Sequence, residues 1–581
     1  MISAASSRRS RQALADTHPQ AVPVSSTRQD RILTPLFKGT AFAAAGLCVL
    51  PMIAVVLSAL FGGTATLSHL AETVLGGYIA ATLQLVLLVG GGTVVIGTVS
   101  AWLVTMTRFP GLRLLEIALA LPLAFPAYVL AYAYTDLLDH PGWVQSTLRD
   151  LTGWGPRDYW FPEIRSLGGA AAMLTLVLYP YVYLLARAAF LQQSATAFLA
   201  ARALGQSAAG AFWRVSLPMA RPAIAAGALL AIMETIADFG TVSYFGVQTF
   251  ATGIYTSWFA MADRAAAAQL SLGLLSFALL IALLERRQRG AARHHSTGAR
   301  HERMAPTRLT GWHSAFAMLF CGLPVVFGFV LPAALLMSMA TGSEQSLFSP
   351  RYLGFLQNSL VLAGIAALLT VTVAVLIGFN QRLSPGIWSR GAAHIARIGY
   401  AVPGGVIAVG LLVPFAAFDN ALDSWMRASF DISTGLLITG SIWLLIVAYM
   451  VRFMAAALGA YDGGQATIHS NMDDVSRTLG HSPSAMLRRV HLPILRPSVM
   501  TAGLIVFVDV MKELPATLIM RPFNFDTLAV QAYRLAADER LAGAAVPSLV
   551  IVAVGLIPVV LLCRGMGERP TALTPDFTPE V

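Results

Sequence analysis

Five charged side chains stand in stretches that are otherwise apolar: Glu234 and Asp238 in one, Asp509, Lys512 and Glu513 in another. Each acidic pair is spaced four residues apart, which puts both carboxylates on one face of a helix. A shift of 275 residues superposes Glu234 on Asp509 and Asp238 on Glu513. Charge inside an apolar segment is expensive, and such groups face a bundle interior, one another or a water-filled cavity. Two readings follow. Matched carboxylates line a cation pathway or gate, because hard oxygen ligands suit hard cations. Alternatively, Lys512 neutralises the acids in a buried network that locks two halves together. Tyr128, Tyr132, Tyr134, Tyr179, Tyr181 and Tyr183 offer phenol oxygens to the same path, though aromatic residues also anchor helices at membrane interfaces. The spacing defines no ligand set for a metal. No histidine pair lies deep in an apolar stretch, so haem or copper redox chemistry has no support.

The same 275-residue shift aligns two polar, basic loops without a gap. Residues 201–222 read ARALGQSAAGAFWRVSLPMARP and residues 476–497 read SRTLGHSPSAMLRRVHLPILRP, with ten identities. Such self-similarity marks two similar halves. Ala197, Ala200 and Leu204 fall at i, i+3 and i+7, as do Met472, Val475 and Leu479, giving each copy one apolar stripe on a short helix. Gly205 and Gly480 then permit a sharp turn. A second short helix follows and ends at Leu217-Pro218 or Leu492-Pro493, and Arg221-Pro222 or Arg496-Pro497 opens the next apolar stretch. One such loop fits an interfacial helix resting on lipid. Two copies with the same glycine and Leu-Pro spacing fit a docking surface for a two-fold symmetric partner.

The elements that position these groups follow from composition. Of 581 residues, 56% are hydrophobic and 12% charged, against about 25% charged in a soluble domain. This predicts an all-α polytopic membrane protein, because backbone groups in lipid must be satisfied within each segment. Apolar runs predict twelve spans in two parallel six-helix repeats, with 222–245 and 498–519 carrying the acids and 436–451 as the tenth. The predicted organisation is a basic tail (1–40), a first repeat (41–286) with its loop at 194–218, a basic linker (287–312), a second repeat (313–564) with its loop at 469–493, and a tail (565–581). The net charge of +10 resides in short loops and tails, which points to membrane orientation rather than nucleic acid. The positive-inside tendency puts both termini, the linker and both repeated loops in the cytoplasm. Cys48, Cys321 and Cys563 fall in apolar runs and read as buried thiols rather than a disulfide framework. His294-His295 in the linker reads as solvated. Pro122, Pro126 and Pro403 are expected to kink their helices.

The repeated loops resemble the EAA motif of permease subunits in binding-protein-dependent ABC importers: Glu-Ala-Ala, three residues, Gly, nine residues, Ile-x-Leu-Pro. Copy one supplies Leu199, Ala200, Ala201, Gly205, Val215, Leu217 and Pro218. Copy two supplies Asp474, Val475, Ser476, Gly480, Val490, Leu492 and Pro493. Leu199 departs from the family's acid and Asp474 keeps one, while Val475 and Ser476 replace the alanines. Residues 233–261 and 510–530 are further similar to fused two-half permeases of the iron(III) uptake branch.

The resemblance implies a multi-pass protein of the bacterial inner membrane. It implies two copies of a cytoplasmic ABC ATPase gripping the loops and a periplasmic binding protein delivering cargo, iron(III) ahead of thiamine, polyamine, sulfate or phosphonate. A P-loop lysine follows glycine, whereas Lys38 and Lys512, the two lysines of the chain, do not. ATP and Mg are therefore expected on the partner, with no cofactor bound by this chain and no enzymatic activity of its own. An ion-coupled secondary transporter also accounts for parallel halves and buried acids, but gives no reason for the duplicated loops.

Overall fold

In the computed structural model, residues 28–193, 195–289, 307–343, 349–399 and 402–567 are described. The His294-His295 pair, most of the linker and most of both tails lie outside them, as do the side chains of Ala197, Leu199 and Cys563. Cys48 and Cys321 are free thiols buried among helices. Among the described residues, eleven helices are long and apolar enough to cross a membrane, and a pair bent by 95°, taken as one broken span, brings the number to twelve. Spans 1–6 are Phe37–Phe61, Leu75–Met106, the bent pair Leu112–Ala124 and Ala127–Thr152, Leu167–Leu191, Phe212–Ala237 and Arg264–Leu284. Spans 7–12 are Gly311–Thr341, Pro350–Leu383, Gly404–Phe430, Ile442–Gln465, Pro483–Met511 and Leu541–Leu561. The fold is the predicted all-α bundle of two six-span repeats.

Among the boundaries that differ from the sequence reading, three bear on the site. Span 5 does not run to 245. It stops at Ala237, where Asp238 adopts an extended conformation, and a separate helix Gly240–Tyr244 follows. Span 11 stops at Met511, before a separate helix Pro515–Met520. Span 10 runs past 451 to Gln465, so Arg452 lies within it. The Leu-Pro dipeptides also do not end a separate helix. Each begins the next helix with proline in its first turn, where a missing N–H costs nothing.

Proline breaks the other inner helices. Pro126 and Pro403 are extended residues capping Ala127–Leu138 and Gly404–Phe430, as expected for a ring that removes a donor and clashes with the preceding turn. Irregular backbone is tolerated at membrane depth only where protein or a cavity surrounds it. The breaks in spans 3, 5 and 11 meet at one cavity between the halves.

The first span of each half crosses over to the other half. Span 1 packs on spans 6, 8 and 9, with Phe37 edge-on to Phe379 at 5.6 Å between ring centroids. Span 7 packs on spans 2, 3, 4 and 12. The end of the linker is also held: Thr307–Arg308 pairs in parallel with Thr107–Arg108, directly after span 2.

Candidate functional site

All five predicted intramembrane charges line the same cavity of about 110 Å³, together with Tyr128, Tyr181 and Arg452. Asp238 and Glu513 occupy equivalent places. Asp238 accepts hydrogen bonds from the backbone N–H of Thr241 at 3.0 Å and Val242 at 3.1 Å, and from the Thr241 hydroxyl at 3.1 Å. Glu513 accepts from the N–H of Ala516 at 2.9 Å and Thr517 at 3.0 Å, and from the Thr517 hydroxyl at 2.7 Å. Each carboxylate thus satisfies the orphan donors of a short helix that starts at a break. The pairing at 275 residues reflects a duplicated cap, with the carboxylates still facing the cavity.

Glu234 and Asp509, one helical turn earlier, make different contacts. Lys512 Nζ pairs with Asp509 Oδ1 at 2.9 Å, within its own half. The cation that joins the halves is Arg452, with its guanidinium 3.9 Å from both Glu234 and Glu513. Gly404 makes room for it: a β-carbon there would lie 2.8 Å from Glu513 Oε1 and closer still to Arg452. Sequence reasoning missed Arg452 because a charge after an apolar run reads as the end of a span. The cavity therefore holds four carboxylates (Glu234, Asp238, Asp509, Glu513) against two cations (Arg452, Lys512). Of the candidate tyrosines, Tyr128 and Tyr181 reach the cavity. Tyr134 donates to the Phe327 carbonyl at 2.6 Å and Tyr183 to the Glu116 carbonyl at 2.8 Å, while Tyr132 and Tyr179 are buried away from it. Among the described residues, no three His, Cys, Asp or Glu side chains form a metal cluster.

The two loops fold alike. Helices Ala195–Ala203 and Ser470–Thr478 end in Gly205 and Gly480, with φ of +83° and +74°. In each copy the glycine N–H and the next N–H bond back into the last turn: Gly205 to Arg202 and Gln206 to Ala201, Gly480 to Arg477 and His481 to Ser476. This left-handed helix ending is the one glycine accommodates without a β-carbon penalty. After a four-residue helix, each chain widens into a π turn at Phe212–Ser216 or Leu487–His491, with Leu217 and Leu492 bonding five residues back. The widened turn relieves the clash that the prolines at 218 and 493 impose on the preceding carbonyls.

The predicted stripe of copy two is exposed: Met472 by 45%, Val475 by 57% and Leu479 by 70%, with Leu204 of copy one exposed by 82%. Ala200 is exposed and Ala201 buried. Val215, Leu217, Pro218, Val490 and Leu492 are half-buried at the base, and Pro493 is exposed. Asp474 is exposed and pairs with Arg477 at 3.7 Å.

At the opposite ends of the helices, Arg165 joins the halves a second time. It pairs with Asp139 at 2.9 Å and with both carboxylate oxygens of Glu539 at 2.9 and 3.1 Å. The Glu539 hydrogen bonds hold its guanidinium pKa above the ordinary arginine value. Ser243 and Tyr533 add a cross-half hydrogen bond of 3.2 Å nearby.

Comparison with known proteins places this geometry in context. Residues 93–290 and 374–566 each match the family described as binding-protein-dependent transport system inner membrane component. A Fe(3+)-transport system permease protein of Haemophilus influenzae is 27% identical over 526 residues, covering 88% of this chain and 95% of its own. A ferric transport system permease protein of Actinobacillus pleuropneumoniae is 23% identical, covering 84% of this chain and 71% of its own. A putative 2-aminoethylphosphonate transport system permease protein of Salmonella typhimurium is 32% identical over 125 residues, 22% of this chain and 47% of its own.

Proposed function

This chain belongs to the family of inner membrane components of binding-protein-dependent transport systems, and from that premise we propose that it carries iron(III) inward, driven by a separate ATPase. It is a fused two-half permease, a multi-pass protein of the inner membrane. The observation that carries the coupling reading is the pair of matched loops, each a nine-residue helix with exposed apolar residues at its end. An exposed apolar surface of this kind marks an interaction site. Two such handles on one face suit two ATPase subunits, which bind ATP and Mg, and a binding protein delivers cargo at the opposite face. On this reading the termini and handles are cytoplasmic.

Iron(III) as cargo is supported by the relatives that match along most of the chain and by a cavity in which carboxylates outnumber cations four to two. An excess of carboxylate favours a hard cation over sulfate or a phosphonate. The phosphonate relative matches only 22% of the chain. The test is reconstitution in proteoliposomes with the cognate ATPase and binding protein. ATP-dependent accumulation of radioactive iron, not suppressed by excess sulfate or phosphonate, is expected. Accumulation of an anion in place of iron would sink the cargo assignment. Transport driven by an ion gradient without the ATPase would sink the coupling.

A further inference from the structure

We infer that the two handles are mechanically unequal, and that Asp473 is the positioning residue that makes the second one a rigid lever. Asp473 is buried on the handle helix Ser470–Thr478. Its Oδ2 receives Arg382 Nε at 2.6 Å and its Oδ1 faces His491 Nε2 at 2.9 Å. Arg382 stands at the end of span 8 and also donates to the Ile468 carbonyl at 2.9 Å and the His469 carbonyl at 3.3 Å, on the approach to the handle. His491 is fully buried in the π turn that leads into span 11. One carboxylate therefore ties together the end of span 8, the handle and the start of span 11.

Among the described residues the first handle shows no buried ion pair of this kind; Gln193 at the end of span 4 donates to the Ser216 carbonyl at 2.8 Å, but no carboxylate links that bond to the handle helix. In the gapless repeat, Phe198 stands where Asp473 stands and Ser216 where His491 stands. Phe198 packs against Trp102 of span 2 at 6.1 Å between centroids, and Trp102 packs against Phe212 at 4.4 Å and Phe190 at 5.4 Å. Apolar burial is non-directional, so such contacts persist through small slides and rotations better than a hydrogen-bonded ion pair does. A desolvated ion pair is directional, and removing one partner leaves a buried charge uncompensated. The second handle is pinned to its spans, and the first is free to slip against them. A push on the second handle moves spans 8 and 11 as one body; the same push on the first is partly absorbed.

This inference rests on the docking reading of the handles. If the wild-type chain neither captures the ATPase nor alters its hydrolysis, that reading fails before any variant is compared. With a working wild type, Asp473→Asn is expected to insert normally, to capture the ATPase, and to keep hydrolysing ATP. Uptake per ATP should fall by roughly 10-fold, within the usual span of coupling free energies. Asp473→Glu, which keeps the charge, should recover much of that ratio. Phe198→Leu in the first handle, which keeps an apolar side chain against Trp102, should lower it less than Asp473→Asn does. The lever is refuted by an unchanged uptake-to-ATP ratio in Asp473→Asn, or by a loss of uptake, hydrolysis and membrane abundance in proportion. Inequality of the handles is refuted when Phe198→Leu lowers the ratio as far as Asp473→Asn does.

Discussion

Arg452 lies 3.9 Å from Glu234 of one half and Glu513 of the other, so a single side chain decides how two carboxylates coexist at the centre. Its removal leaves Lys512, already paired with Asp509, as the remaining cation lining the cavity. Arg452→Met is expected to lower thermal stability of the purified chain. Glu513→Gln in the same background should return part of that loss, with a coupling energy in the range of about 0.5–3 kcal/mol for residues in one network. Additive effects in the double-mutant cycle would show that the bridge contributes nothing. Glu513 has a second task as a cap. Glutamine keeps one acceptor but turns an NH2 group toward donors that are already in place. Glu513→Gln and Asp238→Asn are expected to reduce uptake severalfold, since caps are worth about 0.5–2 kcal/mol, while ATPase capture stays at the wild-type level. Normal uptake by both variants would leave the acids as a purely structural network. The sequence made the acids legible, because charge in an apolar run is conspicuous. Arg452 and Asp473 were not: Arg452 follows an apolar run and reads as its end, and Asp473 stands in a polar loop where a charge calls for no explanation until tertiary packing buries it.

At the scale of the element, the handles show which sequence signals carry structure. Glycine at 205 and 480 reads correctly as a turn, and the backbone there is left-handed in both copies. Space is not the constraint, since a β-carbon at either position would meet nothing within 4 Å. The cost of replacing them is conformational, about 1–2 kcal/mol for a residue held left-handed, and the loop escapes it by re-aiming the handle. Gly205→Leu combined with Gly480→Leu should therefore abolish uptake with no loss of membrane insertion. Wild-type uptake by that double variant would remove the handles from the mechanism. A charge on the exposed stripe acts differently: Val475→Asp leaves the fold alone and should weaken ATPase co-purification severalfold, as expected when a carboxylate is desolvated at an apolar contact. The Leu-Pro signal misled in one respect. Proline reads as a helix end, yet a π turn ahead of it lets the four-residue helix after each glycine continue into spans 5 and 11, so the chain leaving the handle's turn is continuous with the span.

For the whole molecule, the twelve spans and their duplication were legible because hydropathy and repetition need no tertiary information. The crossing of spans 1 and 7 to the opposite half was not, since lipid-facing and partner-facing apolar surfaces look the same in sequence. That exchange ties the halves together at their flanks, while the central seam combines apolar contacts such as Phe239 on Tyr533 with polar ones: Arg452 near the cavity, and Arg165 with Asp139 and Glu539 at the end away from the handles. An importer that admits cargo from that end must part the seam there. The bridge suits a contact that is made and broken, because Arg165 is a third exposed and Glu539 two-thirds exposed, and such pairs are worth about 0–1 kcal/mol. Arg165→Gln is accordingly expected to change uptake by less than about fivefold. A covalent tie across the same gap is a different matter. With Arg165→Cys and Glu539→Cys joined by a short reducible cross-linker, the ends away from the handles cannot separate. Uptake should stop, ATPase capture should persist, and reductant should restore transport. Continued uptake by the cross-linked chain would mean that cargo enters without the halves parting at Arg165.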